Sequence, residues 1–290
     1  MIIREALSQG SADLKFADIK TPSLDASLLL AHVLKMNKTQ LIAEGTAEIS
    51  EKDCAAFCGL IERRCNGECV AYLIGKKEFR GLEFLVNKSV LVPRPDTEIL
   101  VETALEKYLS LTGEKQIVLD LCTGSGAVAI SLKHERPELE IFASDISNDA
   151  LDIAKQNANR LLPKDSKIQF FQGDLFNALF SVNSLLINNC TLIISNPPYI
   201  SSQEIETLSA EVQNEPRIAL DGGADGLEII KRIINKAPDF LISGGSLLLE
   251  ADPRQMREIS ILLDKTGFKD IQLYNDLSGS QRVIGGRFEK

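Results

Sequence analysis

Apolar positions change their period twice along this chain of 290 residues. Over roughly the first 75 they recur every three or four, the spacing of amphipathic helices. Pro22 opens one such stretch, in which Leu24, Leu28, Ala31 and Leu34 mark one apolar face. Ser50 with Asp53 forms a capping-box signature for a helix over Glu51 to Cys65, and Asn66-Gly67 suits its left-handed end. From Glu78 to Pro93 apolar residues alternate instead: Phe79, Leu82, Phe84, Val86, Val90 and Val92 surround the turn formers Gly81 and Asn87-Lys88, which predicts a β-hairpin.

Beyond Asp96, strand-like runs alternate with helical patterns. The runs are Gln116 to Cys122, Glu140 to Asp145, Lys167 to Gln172, Leu192 to Ser195, Ser246 to Glu250, Ile271 to Tyr274 and Val283 to Phe288. Seven strands with helices between them predict an α/β fold built on a doubly wound sheet. Short polar loops between the last two strands make that pair an antiparallel hairpin. The expected organisation is a helical domain over 1–75, a hairpin linker over 76–95 and an α/β domain over 96–290. Length agrees with this, at about 150 residues per domain.

Charge narrows the partners. The net charge of −9, from 41 acidic and 32 basic residues, offers no general attraction for phosphate backbones. A protein substrate fits this balance better, and no stable nucleic-acid binding is expected. No apolar run has the length to cross a bilayer, and Met1 to Gly10 carries acidic and polar residues where a signal peptide is continuously apolar. A cytoplasmic monomer without membrane contact is the expectation. Cys54, Cys58, Cys65 and Cys69 invite a metal reading, but Cys54, Cys58, Ile61 and Cys65 fall on one helical stripe rather than in short knuckles. Small buried hydrophobes are the better reading, and His32 and His134 add no ligand cluster.

Candidate chemistry gathers at the strand ends. The first strand of the α/β region runs into Asp120-Leu121-Cys122-Thr123-Gly124-Ser125-Gly126, where the two glycines let a ligand approach the backbone at a helix N-terminus. Asp145 closes the next strand where nucleoside-binding folds place an acceptor for ribose hydroxyls. Gly173-Asp174, followed by Leu175, closes the third and is a candidate for the adenine amine. The fourth strand ends in Asn196-Pro197-Pro198-Tyr199. Two prolines withhold donors and stiffen the chain, so the Asn196 carboxamide and Pro197 carbonyl are candidate fixed acceptors, with Tyr199 offering a flat face. First and fourth strands flank the centre of such a sheet, which sets the Thr123 to Gly126 loop opposite this clamp for a planar NH₂ group.

Asp120 to Gly126, Asp145 and Asn196 to Tyr199 resemble the corresponding segments of S-adenosylmethionine-dependent amino-methyltransferases. Further runs narrow the resemblance: Glu78-Phe79-Arg80-Gly81, Val90 to Glu98 with its Pro93-Arg94-Pro95-Asp96-Thr97-Glu98, Glu215-Pro216 to Leu220, Gly222 to Leu227, and Glu250 to Gln255. Together they look like the glutamine methyltransferases that modify peptide chain release factors, over nearly the full chain. Four positions depart from that pattern: Cys122 and Asp252 stand where glycine is usual, and Cys69-Val70 replaces a Glu-Pro or other proline-containing pair.

The resemblance implies a seven-stranded Rossmann-like methyltransferase sheet, S-adenosylmethionine as cofactor, and class 1 release factors as protein partners. It implies cofactor contacts from Cys122, Thr123, Gly124, Ser125, Gly126, Asp145, Asp174, Leu175 and Asn196. Asn196, Pro197, Pro198 and Tyr199 would hold the substrate amide, with Asn196, Pro197 and Tyr199 catalytic, Arg94 and Glu98 supporting them and Glu250 structural. Two other readings stay open. A nucleic-acid adenine amino-methyltransferase presents the same planar nitrogen and would show steeply salt-dependent duplex binding. A non-catalytic S-adenosylmethionine-binding partner of the translation machinery is the second.

Overall fold

The computed structural model describes residues 1–109 and 116–290, without the side chains of 180–184. They form two compact units: Met1–Lys76 with Ser209–Asn214, and Lys77–Leu208 with Glu215–Lys290. No helix among the described residues is long and apolar enough to cross a membrane.

The first unit is helical: α1 Ile3–Phe16, α2 Pro22–Leu34, α3 Lys38–Ala43, α4 Glu51–Cys65 and α5 Val70–Ile74. Ser50 Oγ accepts from the Asp53 amide at 3.1 Å, and Gly67 takes a left-handed φ of 87° beyond α4, as the capping signals imply. The face of α2 differs from the expected one. Asp25, Ala26, Leu29 and Leu30 are buried, while Leu24 and Leu28 are 47% and 41% exposed.

Electrostatics explains the difference. Leucines lie on more than one side of α2, so hydrophobicity alone leaves its rotation open. Asp25 settles it by accepting from Arg64 Nε at 2.8 Å, both groups being nearly solvent-free. The Arg64 guanidinium also reaches the Glu68 carbonyl and Glu211, so its donors are well engaged. On α4 the buried stripe is Phe57, Ile61 and Arg64. Cys54 and Cys65 pack at its margin, but Cys58 is exposed, contrary to the buried reading.

A hairpin follows at the start of the second unit, β1 Lys76–Phe79, whose first residue still belongs to the first unit, and β2 Leu82–Leu85, turned by Arg80 and Gly81 at φ 50° and 75°. It ends sooner than the alternation suggests. Val86, Val90 and Val92 are buried without strand pairing, and the Val92 amide is taken by Glu215 Oε2 at 3.1 Å.

Seven strands follow: β3 Ile117–Leu121, β4 Glu140–Asp145, β5 Ile168–Gln172, β6 Cys190–Ser195, β7 Leu241–Glu250, β8 Phe268–Asn275 and β9 Gln281–Phe288. Their order is β5-β4-β3-β6-β7-β9-β8, parallel except for β9, which runs antiparallel to both neighbours. Side chains of β3 alternate between two cores, Leu119 and Leu121 entering one and Val118 the other, as a strand covered on both faces requires. Helices α6 Thr97–Thr103, α7 Ala127–Glu135 and α8 Asn148–Leu161 cover the Val118 face, and Glu228–Lys236 with Met256–Lys265 covers the other. Strand β7 starts five residues before its predicted start at Ser246. Gly244, at φ 79°, carries the irregularity that hid the extension.

Replacing Asp25 by Ala removes the buried partner of Arg64, which keeps Glu211 and the Glu68 carbonyl, and should cost about 1.5–3 kcal/mol. Leu28→Ala should cost under about 1 kcal/mol, against about 2–5 for a core leucine. Urea unfolding of both variants, followed by circular dichroism, checks which face of α2 is buried.

Candidate active site

Three left-handed residues in five turn the chain from β3 into α7: Cys122, Gly124 and Gly126, at φ 59°, 55° and 81°. The two glycines do different things. A Cβ on Gly124 would meet nothing within 4 Å, so its backbone is open to a ligand, whereas one on Gly126 would strike Ile130 Cδ1 at 2.7 Å and Ala154 at 3.3 Å. Gly126 therefore serves helix packing. Cys122 carries a side chain through a conformation that costs an L-residue about 1–2 kcal/mol. Burial and the nearby Asp145 push its thiol well up, so it stays neutral.

A cavity of about 240 Å³ opens along these strand tips. Cys122, Thr123, Gly124, Ser125, Asp145, Asp174, Leu175, Asn196 and Pro198 all line it. Gly126, Pro197 and Tyr199 do not.

Asp145 accepts from the Gly124 amide through Oδ2 and from the Ser147 amide through Oδ1, both at 2.9 Å. One carboxylate thus fixes the loop and still has lone pairs for a further donor. Burial raises its pKa, against those amides. Asp120, at the base of the cavity, accepts from Thr123 Oγ1 at 2.6 Å, and burial pushes it up to about 7. Asp174 is held by Arg232 at 2.5 Å across the cavity wall.

Around the clamp the structure corrects one expectation. Tyr199 does not offer its ring to the cavity but packs on the apolar core beside Glu250, where burial and that carboxyl hold its hydroxyl protonated. Its carbonyl accepts from Gln255 Nε2 at 2.9 Å. Behind it, a Cβ on Gly226 would collide with the Tyr199 carbonyl oxygen, and one on Gly222 would lie 2.8 Å from that of Pro198. The Gly222 to Leu227 segment is thus a backing plate that only glycine lets close. Asp252, at φ −68°, caps the short turn Pro253–Gln255 in an ordinary conformation, so this departure from glycine is unstrained.

Asn196 is the clamp residue whose side chain has a defined partner: Nδ2 donates to Thr97 Oγ1 at 3.0 Å, at the start of α6. That leaves Oδ1 as the acceptor end. Arg94 also lines the cavity, ion-paired to the buried Glu215, while Glu98 accepts from the Arg80 amide at 3.3 Å.

Residues 5–75 match the family model described as PrmC N-terminal domain, and residues 95–220 match the methyltransferase small domain. The release factor glutamine methyltransferase of Escherichia coli is 36% identical over 286 residues, covering 99% of this chain and 97% of the relative. That of Burkholderia pseudomallei is 39% identical, covering 91% and 92%. The chain belongs to the release factor glutamine methyltransferase family.

Solved structures bear on the fold of this family member alone. A methyltransferase from Pyrococcus furiosus superposes with a TM-score of 0.52 at 18% identity, over 79% of this chain and 98% of its own. The catalytic domain of hMettl16 gives 0.55 at 15% identity, over 80% and 82%.

Sequence reasoning missed four residues here. Thr97 was visible only as part of a motif, and Gln255 only as the end of one. Asp120 was a strand-end acid with no sign of its burial. Arg232 had no signal at all, because its partner Asp174 lies 58 residues away.

Gly226→Ala should destabilise by more than Gly244→Ala, whose added Cβ meets nothing within 4 Å and which bears only the left-handed cost of about 1–2 kcal/mol. Urea midpoints compare the two. Because the folded pKa of Asp120 lies above its unfolded value of about 3.9, its share of stability is full below that value and lost as pH rises through about 7. Asp120→Asn should therefore gain on wild type between pH 5 and pH 8 in urea unfolding, by on the order of a few kcal/mol.

Proposed function

We propose that this protein transfers the methyl group of S-adenosylmethionine to the side-chain amide nitrogen of the glutamine in the Gly-Gly-Gln loop of class 1 peptide chain release factors. The observation that carries this is the Asn196 carboxamide at the cavity wall, its nitrogen engaged by Thr97 and its oxygen left to accept. Full-length relatives that bear this activity in their names support the substrate.

The residues present fit the cofactor. Gly124 offers open backbone at the cavity, and Asp145 keeps acceptor capacity where ribose hydroxyls would lie. Asp174 and Arg232 border the end suited to adenine. S-adenosylmethionine supplies an electrophilic methyl on a sulfonium centre.

An amide nitrogen is a weak nucleophile, so the protein's work is placement and charge. The two substrate N–H groups would donate to Asn196 Oδ1 and to the Pro197 carbonyl, although Pro197 itself does not line the cavity and only its neighbours Asn196 and Pro198 do. Gln255 and the Gly222 amide take the carbonyls of Tyr199 and Ile200, whereas no donor among the described residues takes those of Pro197 and Pro198. Two fixed acceptors orient the nitrogen and favour the positive charge that develops as the N–C bond forms. The methylated nitrogen then loses one proton, and no strong base is needed beforehand.

Incubation with labelled S-adenosylmethionine and a release factor, followed by peptide mass analysis, should place the label on the Gly-Gly-Gln glutamine. Label on nucleic acid alone would reverse the reading. Asn196→Ala should lower kcat about 10²–10³-fold, as loss of one aligned polar contact does. S-adenosylhomocysteine should still bind it within a few-fold by calorimetry.

A further inference from the structure

We propose that Thr97 and Glu250 are positioning residues that together decide which end of the Asn196 carboxamide faces the cavity. This rests on the methyl-transfer reading, which needs an acceptor there. A carboxamide flipped by 180° would present NH₂ to an incoming N–H donor and repel it.

Thr97 alone does not prevent the flip. Its hydroxyl lies 3.0 Å from Asn196 Nδ2, but a hydroxyl donates as readily as it accepts. The orientation is fixed only if the single hydroxyl proton is committed elsewhere. Glu250 supplies that commitment. Ser195 pairs with Leu249 in the parallel register of β6 and β7, so Asn196 and Glu250 are the next residues at adjacent strand tips.

Thr97 and Glu250 are 4% and 1% exposed, and water does not compete for either. The Thr97 and Tyr199 hydroxyls face the Glu250 carboxyl, whose buried Oε2 has no hydrogen-bond partner among the described residues and is the acceptor left open to the Thr97 proton. With its proton directed to Glu250, Thr97 can only accept from Asn196, and Oδ1 turns to the cavity.

The lock works with an ionised Glu250, since a neutral carboxyl can donate to Thr97 and free the hydroxyl proton for Asn196. Burial pushes Glu250 up to about 7, with Asp96 adding to the rise and Thr97, Arg282 and Tyr199 opposing it. The charged and titratable groups among these face it from the cap before α6 (Asp96), from β9 (Arg282) and from the clamp loop (Tyr199). The lock therefore loosens as pH falls below about 7.

The test compares Thr97→Val, Thr97→Ser and Glu250→Gln in the full chain. Readouts are kcat on a release factor, S-adenosylhomocysteine affinity by calorimetry, and exchange of the Asn196 side-chain NH₂ protons by NMR with ¹⁵N-asparagine labelling. Thr97→Val should lower kcat about 10- to 100-fold, leave affinity within about two-fold and speed NH₂ exchange, while Thr97→Ser restores all three. Wild-type kcat should fall below about pH 7, and Glu250→Gln should lack that limb.

Undiminished kcat in Thr97→Val, an equal loss of ligand affinity, failure of serine to rescue, or a limb that survives Glu250→Gln would each overturn the proposal. NH₂ exchange does not depend on methyl transfer. A wild type inactive on release factors yet showing slow exchange that Thr97→Val abolishes would uphold the lock and sink the substrate reading instead.

Discussion

A buried hydrogen bond, from Ser195 Oγ to the Leu121 carbonyl at 2.7 Å, ties the tips of the two central strands together. The same residues are register partners in the parallel pair β3–β6. The two central segments of the site start from that pairing. The Cys122 to Gly126 loop leaves one strand and Asn196 leaves the other at the same sheet edge, so a glycine-rich loop and a carboxamide come side by side at one cavity without a dedicated scaffold. One step along, β7 delivers Glu250 to the same edge.

Burial makes that edge chemically unusual. Asp120, Asp145 and Glu250 are all pushed upward because water is scarce around them, so their charge is held by backbone amides and hydroxyls rather than by solvent. Hydrogen bonds in such surroundings orient more firmly than the same bonds at a surface. The Asn196 to Tyr199 segment is also mechanically backed: Gln255, Gly222 and Gly226 fix the chain behind Pro198 and Tyr199, leaving Asn196 and Pro198 at the cavity wall. Rigidity behind and polarity in front are what an enzyme needs when its substrate nitrogen is weak and placement must do the catalysis.

Much of this was legible along the chain. Seven strand-like runs, the capping signals of α4 and the Arg80-Gly81 turn each depend on short-range patterns, and the observed elements follow them to within a few residues, apart from the early start of β7 and the short hairpin. The strand-end loops were legible too, since Gly124, Asp145 and Asn196 are residues whose chemistry is apparent wherever a strand delivers them. What did not show were the facts that depend on distant partners. The rotation of α2 was misjudged because a run rich in leucine has no single apolar side, and Tyr199 looked like a stacking surface because nothing nearby announces Glu250.

The sequence by itself determined the alternation of strands and helices, the places where chain reversal needs glycine, and the chemical identity of the clamp, because each is set by residues within one turn or one strand. Only the tertiary structure decided which groups lose water and which face each other. Arg64 finds Asp25 and Asn196 finds Thr97 across 39 and 99 residues, respectively. Burial and pairing over such separations arise from packing of the whole unit, and no local pattern carries them.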